Sequence, residues 1–129
     1  MTADLRPHRV GPIGAHEMRV MAEVLADPNP IHLDPAAVAA LGLGDRLINQ
    51  GPTNLGYVID LVRAGFPEHR LRRIRTRFLA NVHEGDVVLA GGRVDETHAD
   101  GTVDCTVWLD VEGGARAIEG TATLEPRGR

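Results

Sequence analysis

One change of period divides this chain. From Pro52 to Ala64 the sequence offers a long apolar helical stretch, with Leu55, Val58, Ile59 and Val62 on one stripe and Tyr57 and Leu61 widening it. Gly51, as N-cap, and Pro52 predict its start; Gly65 and Pro67 predict its end. After Pro67 the period becomes two. Arg73, Arg75 and Arg77 alternate with Ile74, Thr76 and Phe78. Glu84-Gly85-Asp86 predicts a turn and Asp86 to Glu96 a strand. Asp100-Gly101 predicts a hairpin into a strand whose one face carries Val103, Cys105, Val107, Leu109 and Val111. Gly113-Gly114 turns again, into a last strand from Ala115 to Leu124. A helix this apolar has to be buried, and the strands after it are what it can be buried against. The predicted fold class is α+β, an antiparallel curled sheet wrapped around a central long helix.

The segment before that helix is shorter-ranged. A strand is predicted near Arg9 to Ile13, then a helix from Ala15 to Ala26 with Met18, Met21, Ala22 and Leu25 on one stripe. Asp27-Pro28-Asn29-Pro30 stops that helix, because each proline denies the residue before it the helical conformation. A short helix is predicted from Pro35 to Leu41, capped by Asp34 and ended by Gly42 and Gly44. The 129 residues are expected to form one domain, with 1–6 and 126–129 as frayed tails.

Composition removes whole classes of function. With 43% hydrophobic and 25% charged residues the chain is globular, and with only 3% aromatics its core must be aliphatic. A net charge of -4 argues against nucleic acid as a partner. The lone Cys105 excludes a disulfide framework and reads as a core residue. No apolar run approaches a membrane span and the N-terminus lacks a leader pattern, so a cytoplasmic protein is expected, with no membrane contact. His16, His69, His83 and His98 lack metal-ligand spacing, so no metal is expected. Neither a Gly-x-Ser-x-Gly elbow nor a glycine-rich phosphate loop is present, which removes serine hydrolase chemistry and nucleotide cofactors.

Chemistry concentrates in Asp27-Pro28-Asn29-Pro30-Ile31-His32-Leu33-Asp34. A carboxylate and an imidazole in one proline-stiffened loop can reach a single water, the least that general acid–base work requires. Asn29 can hold the loop, and Asp34 caps the next helix. The same run also fits an ordinary turn with local Asp27 and Asn29 hydrogen bonds and a half-buried His32.

This run resembles the signature of the MaoC-like (R)-specific enoyl-CoA hydratases: Asp, any residue, Asn-Pro, any residue, His, any residue, Asp. It is complete here, and the order of elements is similar from Arg9 to Pro126. The resemblance implies a hot-dog fold, with Asp27 and His32 as the catalytic pair and water added to, or removed from, a 2-enoyl/3-hydroxyacyl thioester. It also implies that Gly51 lets the thioester oxygen approach backbone N–H groups at the start of the central helix, an oxyanion hole. A cap role for Gly51 stands beside that one. Two places depart from the family: Gln50-Gly51 stands where members carry His-Gly, and Leu25-Ala26 where they carry Ser-Gly. Asn49, Gln50, Pro52 and Asn54 make this helix entrance polar.

No cofactor is expected beyond the coenzyme A or phosphopantetheine of the substrate itself. Arg70, Arg72, Arg73, Arg75 and Arg77 concentrate positive charge, with Arg73, Arg75 and Arg77 on one face. They suit the phosphates of coenzyme A or an acidic carrier protein, and equally a solvated strand face. Family likeness implies a homodimer or larger even assembly, or pairing with a second hot-dog chain. Two alternatives to the enzyme remain: a partner subunit of a heteromeric hydratase, and a thioesterase. For the latter Asp60 sits poorly, near the far end of the helix from Gly51.

Overall fold

A computed structural model describes residues 3–128. In chain order the elements are β1 (Ala3–Asp4), β2 (His8–Val10), α1 (Ala15–Val24), α2 (Pro35–Ala40), α3 (Gly51–Gly65), β3 (His69–Phe78), β4 (Val88–Thr97), β5 (Val103–Val111) and β6 (Arg116–Pro126). All strand pairs are antiparallel, in the order β1-β4-β5-β6-β3, with β2 also on β4. The sheet packs on α3, as the change of period predicts. One long strand, β3, lies at an end of the sheet, with a neighbour on one side only among the described residues.

Alternation makes the sheet two-faced. Along β5, Val103, Cys105, Val107 and Leu109 are buried while the residues between them are half-covered. Ile118, Ala122 and Leu124 of β6 and Val88 and Ala90 of β4 join them, against Val58, Leu61 and Val62 of α3 and Met18 of α1. Apart from Gln50, the largest fully covered side chains are apolar and none is aromatic, as the shortage of aromatics requires. Each large one contributes roughly 1.5–3 kcal/mol. Burial pushes the Cys105 thiol up to about 11, with Asp95 and Asp104 adding to the effect, so it stays protonated within the core.

Several boundaries differ from the sequence expectation, for local reasons. Gln50, not Gly51, is the N-cap of α3, and Gly51 is its first helical residue. The buried stripe of α3 is Asn54, Val58, Leu61 and Val62, which leaves Leu55 and Ile59 half-covered on its flank. The tails are not simply frayed. Ala3 and Asp4 pair with Val94 and Arg93, Pro126 pairs with His69, and the Arg127 N–H donates to the Glu68 carbonyl at 3.0 Å. The Leu5 N–H donates to the Gly92 carbonyl at 2.8 Å, and Met1, Thr2 and Arg129 lie outside the described residues.

Helix α1 ends two residues early, in a motif that places Asp27. The Asp27 N–H donates to the Ala22 carbonyl at 2.9 Å and the Ala26 N–H to that of Glu23 at 3.1 Å. This is a Schellman ending, which needs a left-handed residue after the cap. Ala26 fills that position with φ of 51°. A side chain in this region costs about 1–2 kcal/mol, which glycine avoids at a smaller entropic cost. Ala26→Gly is therefore expected to stabilise the protein by about 0.5–1 kcal/mol. Urea unfolding checks this; an unchanged or lower midpoint would show that the ending is not strained.

Candidate active site

After Asp27 the chain makes two local turns and then attaches to the core. The Asn29 N–H donates to Asp27 Oδ1 at 3.2 Å, and Asn29 Oδ1 accepts from the Ile31 N–H at 3.2 Å. Asn29 thus caps a single turn of 3₁₀ helix, Pro30–His32. Asp34 Oδ1 accepts from the Ala36 N–H at 2.9 Å and caps α2. The turn and the cap predicted from sequence both form. They form beside the Asp27–His32 contact described next rather than instead of it.

The loop is fastened to the strand-like segment leading into α3. The Ile48 N–H donates to the Ile31 carbonyl at 3.0 Å, and His32 Nδ1 lies 2.6 Å from the Ile48 carbonyl oxygen. A carbonyl oxygen only accepts, so Nδ1 carries the hydrogen. The other ring nitrogen, Nε2, faces Asp27 Oδ2 at 3.3 Å. The His32 side chain is 8% exposed and that of Asp27 35% exposed, so the pair is rooted in the interior and open on the carboxylate side. With the ring neutral and the carboxyl ionised, Nε2 and Oδ2 are two acceptors side by side. A water with two O–H groups satisfies both. Next to Asp27 a cleft of about 480 Å³ opens between α1 and Leu33, lined by Ala22, Ala26 and Pro28 with Arg19 and Glu23 at its side.

Gly51 stands three residues beyond Ile48. Helix geometry leaves the first-turn N–H groups of Gly51 and Thr53 without intrahelical acceptors, and Pro52 has none to offer. The Phe78 ring lies 3.5 Å from where a Cβ on Gly51 would stand, an apolar wall beside these donors. Buried polar groups surround the same turn. Asn49 Nδ2 donates to Asn54 Oδ1 at 2.7 Å and to the Tyr57 hydroxyl at 3.3 Å. Burial raises the Tyr57 pKa; the Asn49 bond lowers it and Glu17 raises it further. Gln50 is fully buried, donating to the Met18 carbonyl at 2.8 Å. Gln50 Oε1 and Thr53 Oγ1 find no hydrogen-bond partner among the described residues.

Asp27, Asn29 and His32 therefore come together, and the Ile48 strap carries His32 toward the start of α3. Arg73, Arg75 and Arg77 do not join them. They project from the sheet face opposite α3, where a groove of about 370 Å³ is lined by Arg75, Arg77, Arg116, Thr106, Thr121 and Glu119. Asp60 is exposed on α3. Sequence reasoning missed the Ile48 carbonyl, a backbone group that no side-chain pattern announces, and Phe78, which distant strand pairing brings to Gly51. Polar Asn49 and Asn54 around an apolar helix start were the visible signal for the buried network. The histidine spacing also missed a cluster of Glu96, His98 and Asp104 at the exposed β4–β5 hairpin, where His98 Nε2 and Asp104 Oδ2 are 2.7 Å apart. That hydrogen bond raises the His98 pKa and lowers that of Asp104.

The family model of the MaoC like domain matches residues 5–111. Among solved structures, the (R)-hydratase from A. caviae involved in PHA biosynthesis is similar over 97% of both chains, with 26% identity and a TM-score of 0.85. R-hydratase PhaJ1 from Pseudomonas aeruginosa is similar over all of this chain and 81% of its own, with 20% identity and a TM-score of 0.81. The ChsH1-ChsH2 complex from Mycobacterium tuberculosis matches with 20% identity and a TM-score of 0.84, over 97% of this chain and 96% of that one. The last two likenesses show the fold alone. No curated protein sequence matches this chain. No helix among the described residues is long and apolar enough to cross a membrane.

The Ile48 contact fixes which tautomer neutral His32 adopts. In its neutral form the hydrogen is expected on Nδ1, not on the Nε2 usually favoured by free imidazole. Long-range ¹H–¹⁵N correlation of the ring resonances reads this directly. A neutral ring protonated at Nε2 would mean that the Ile48 carbonyl does not hold the imidazole.

Proposed function

Because the chain belongs to the MaoC-like dehydratase domain family, a family of hydratases and dehydratases with the hot-dog fold, we propose that it is an (R)-specific hydro-lyase acting on 2-enoyl and 3-hydroxyacyl thioesters. The observation that carries this reading is the pairing of Asp27 Oδ2 with His32 Nε2 at 3.3 Å, with Nδ1 tied to a backbone carbonyl.

In hydration, water adds to C3 of the enoyl thioester and a proton to C2. The water oxygen forms the new C3–O bond while one of its protons passes to the Asp27/His32 pair. Electron density from the C2–C3 double bond moves onto the thioester oxygen. The pair returns a proton to C2, so no net proton is gained or lost. Dehydration runs the same steps backwards. Two acceptors on one water set its lone pair toward the substrate. The developing oxyanion needs donors already in place, and the Gly51 N–H at the N-terminus of α3 supplies one, with the helix dipole behind it. Gly51 has no side chain to keep the thioester away. The cleft beside Asp27 gives the acyl group room. Coenzyme A or phosphopantetheine enters as part of the substrate, and no resident cofactor or metal is needed. Activity is expected from a pair of hot-dog units, since one unit leaves a long strand edge open.

The alternative is a partner subunit that completes a hydratase without doing chemistry. Such a subunit has no need of both Asp27 and a tautomer-fixed His32. In an assay following loss of enoyl-thioester absorbance, Asp27→Asn and His32→Gln are each expected to lower kcat by at least ~10²-fold. Because both groups hold one water, the double variant should cost little more than the worse single one. Both proteins should stay folded. A chain that hydrates neither a short linear nor a bulky enoyl thioester, and whose thioester turnover neither substitution alters, would return the partner-subunit reading.

A further inference from the structure

The β4–β5 hairpin carries a group of side chains that the proposed chemistry does not use. A bulge between Val94 and Glu96 shifts the register of β4, which leaves Asp95 as the extra residue and sets Glu96 directly opposite Asp104 of β5. Like charges opposed across a strand pair destabilise it. Elsewhere on the sheet and its turns arginines answer the carboxylates: Arg9 holds Glu112, Arg70 Glu125, Arg77 Glu119, Arg93 Asp95 and Arg116 Asp110. Glu96 and Asp104 have no arginine partner among the described residues. They face an imidazole instead. His98 Nε2 is 2.7 Å from Asp104 Oδ2, and Nδ1 is 3.8 Å from Glu96 Oε1.

An arginine supplies charge and no lone pair, whereas an imidazole between two carboxylates is a donor set for a divalent ion. One nitrogen of His98 and one oxygen each of Glu96 and Asp104 lie within 4.8 Å of one another. A tetrahedral ion with its ligands at ~2.1 Å holds them about 3.4 Å apart. The exposed Glu96 side chain is free to swing the remaining distance. The other two ligands are held from outside the group. Thr123 Oγ1 donates to Asp104 Oδ1 at 3.0 Å, which leaves Oδ2 to face His98. The His98 N–H donates to the Thr102 carbonyl at 2.8 Å, and the His98 carbonyl accepts from the Gly101 N–H at 3.0 Å, so the turn that presents the ring is fixed. Outer partners of this kind orient metal ligands.

We propose that His98 Nε2, Asp104 Oδ2 and a carboxylate oxygen of Glu96 bind one divalent ion of the zinc class at the tip of this hairpin, with water in the fourth position. The ion takes the place of the hydrogen between Nε2 and Oδ2, and that contact opens by several tenths of an ångström to admit it. The neutral ring then carries its one hydrogen on Nδ1. The ion removes the repulsion between the two opposed carboxylates and ties the turn to both strands. The imidazole favours zinc and its neighbours over Ca²⁺ and Mg²⁺, which take oxygen ligands. The site shares no residue with the Asp27–His32 pair, and its ion takes no part in hydration.

The test titrates Zn²⁺ alone into the whole chain, in a buffer that does not bind the ion. Long-range ¹H–¹⁵N correlation should show the His98 ring nitrogens shifting with the first equivalent while those of His32 stay in place. By calorimetry the affinity should fall at least ~10-fold in H98Q and in E96Q/D104N, and hold in D27N/H32Q. Thermal melts should show Zn²⁺ raising the midpoint of the wild type more than that of H98Q, because an ion that binds the folded chain stabilises it. Ca²⁺ or Mg²⁺ at equal concentration should not displace it. Zn²⁺ affinity that H98Q leaves unchanged, or that D27N/H32Q abolishes, puts the ion elsewhere and overturns the proposal. Displacement by Ca²⁺ or Mg²⁺ also overturns it and leaves the hairpin an acidic patch. Where a hairpin variant fails to fold, the wild-type resonances decide: His98 nitrogens unmoved by an excess of Zn²⁺ overturn the proposal.

Discussion

The Ile48 peptide unit holds this site together. Its N–H donates to the Ile31 carbonyl and its C=O accepts from His32 Nδ1, so one residue fastens both backbone and side chain of the Asp27–Asp34 loop. Ile48 is itself buried, and its segment bridges to His83 before the chain turns into α3. The loop therefore inherits the rigidity of the core. Two prolines and the turn bonds of Asn29 stiffen it locally, but they cannot orient an imidazole relative to a helix. Only a contact across 16 residues of sequence does so. With Nδ1 fixed, Nε2 has one direction to face, and the Schellman ending of α1 brings Asp27 there.

That arrangement requires α3 to be both buried and polar at one end. Its middle meets this easily, with Val58, Leu61 and Val62 against the sheet. Its first turn meets it at a cost. Asn49, Gln50 and Asn54 are all buried, and two nearby oxygens lack partners. Leaving a buried acceptor unsatisfied costs about 1–3 kcal/mol. Natural folds carry such costs mainly where a site needs them. Here they collect around Gly51, where a side chain would meet the Phe78 ring.

How much of this was legible in the sequence depended on range. The period change at Pro67 revealed the sheet and its two faces, because alternation is a local property of strands. The Asp27–His32 spacing placed the two side chains in one loop for the same reason, and they meet there at 3.3 Å. What failed was either conformational or distant. Alanine is a poor left-handed residue, so nothing in Leu25-Ala26 signalled that α1 would end at Val24 with Ala26 turned over. Gly51 and Gln50 are both plausible caps, and only backbone geometry separates them. The arginines of β3 were correctly placed on one outward face, yet that β3 lies at the sheet's end follows from its pairing with β6 alone, some forty residues later in the chain. The tails became strands because Val94 and His69 were there to pair with them, which no terminal sequence encodes.

The polar start of α3 also bears on how precisely its first N–H groups, the proposed oxyanion donors, can be held. A helix N-terminus tends to fray, since its first N–H groups have no acceptors within the helix. Gln50 as N-cap offers no side-chain cap to this one. The Asn49–Asn54–Tyr57 bonds do the same work from another direction, linking the residue before the cap to the first and second turns. Gln50 meanwhile anchors the cap residue to α1 through the Met18 carbonyl. The first turn is thus pinned at Asn49, Gln50, Asn54 and Tyr57, while its forward N–H groups stay free. A side-chain cap would have taken the Thr53 N–H, since Pro52 has none. Pinning the turn through side chains at its back and flank leaves both N–H groups available, as the proposed oxyanion role of this helix N-terminus requires.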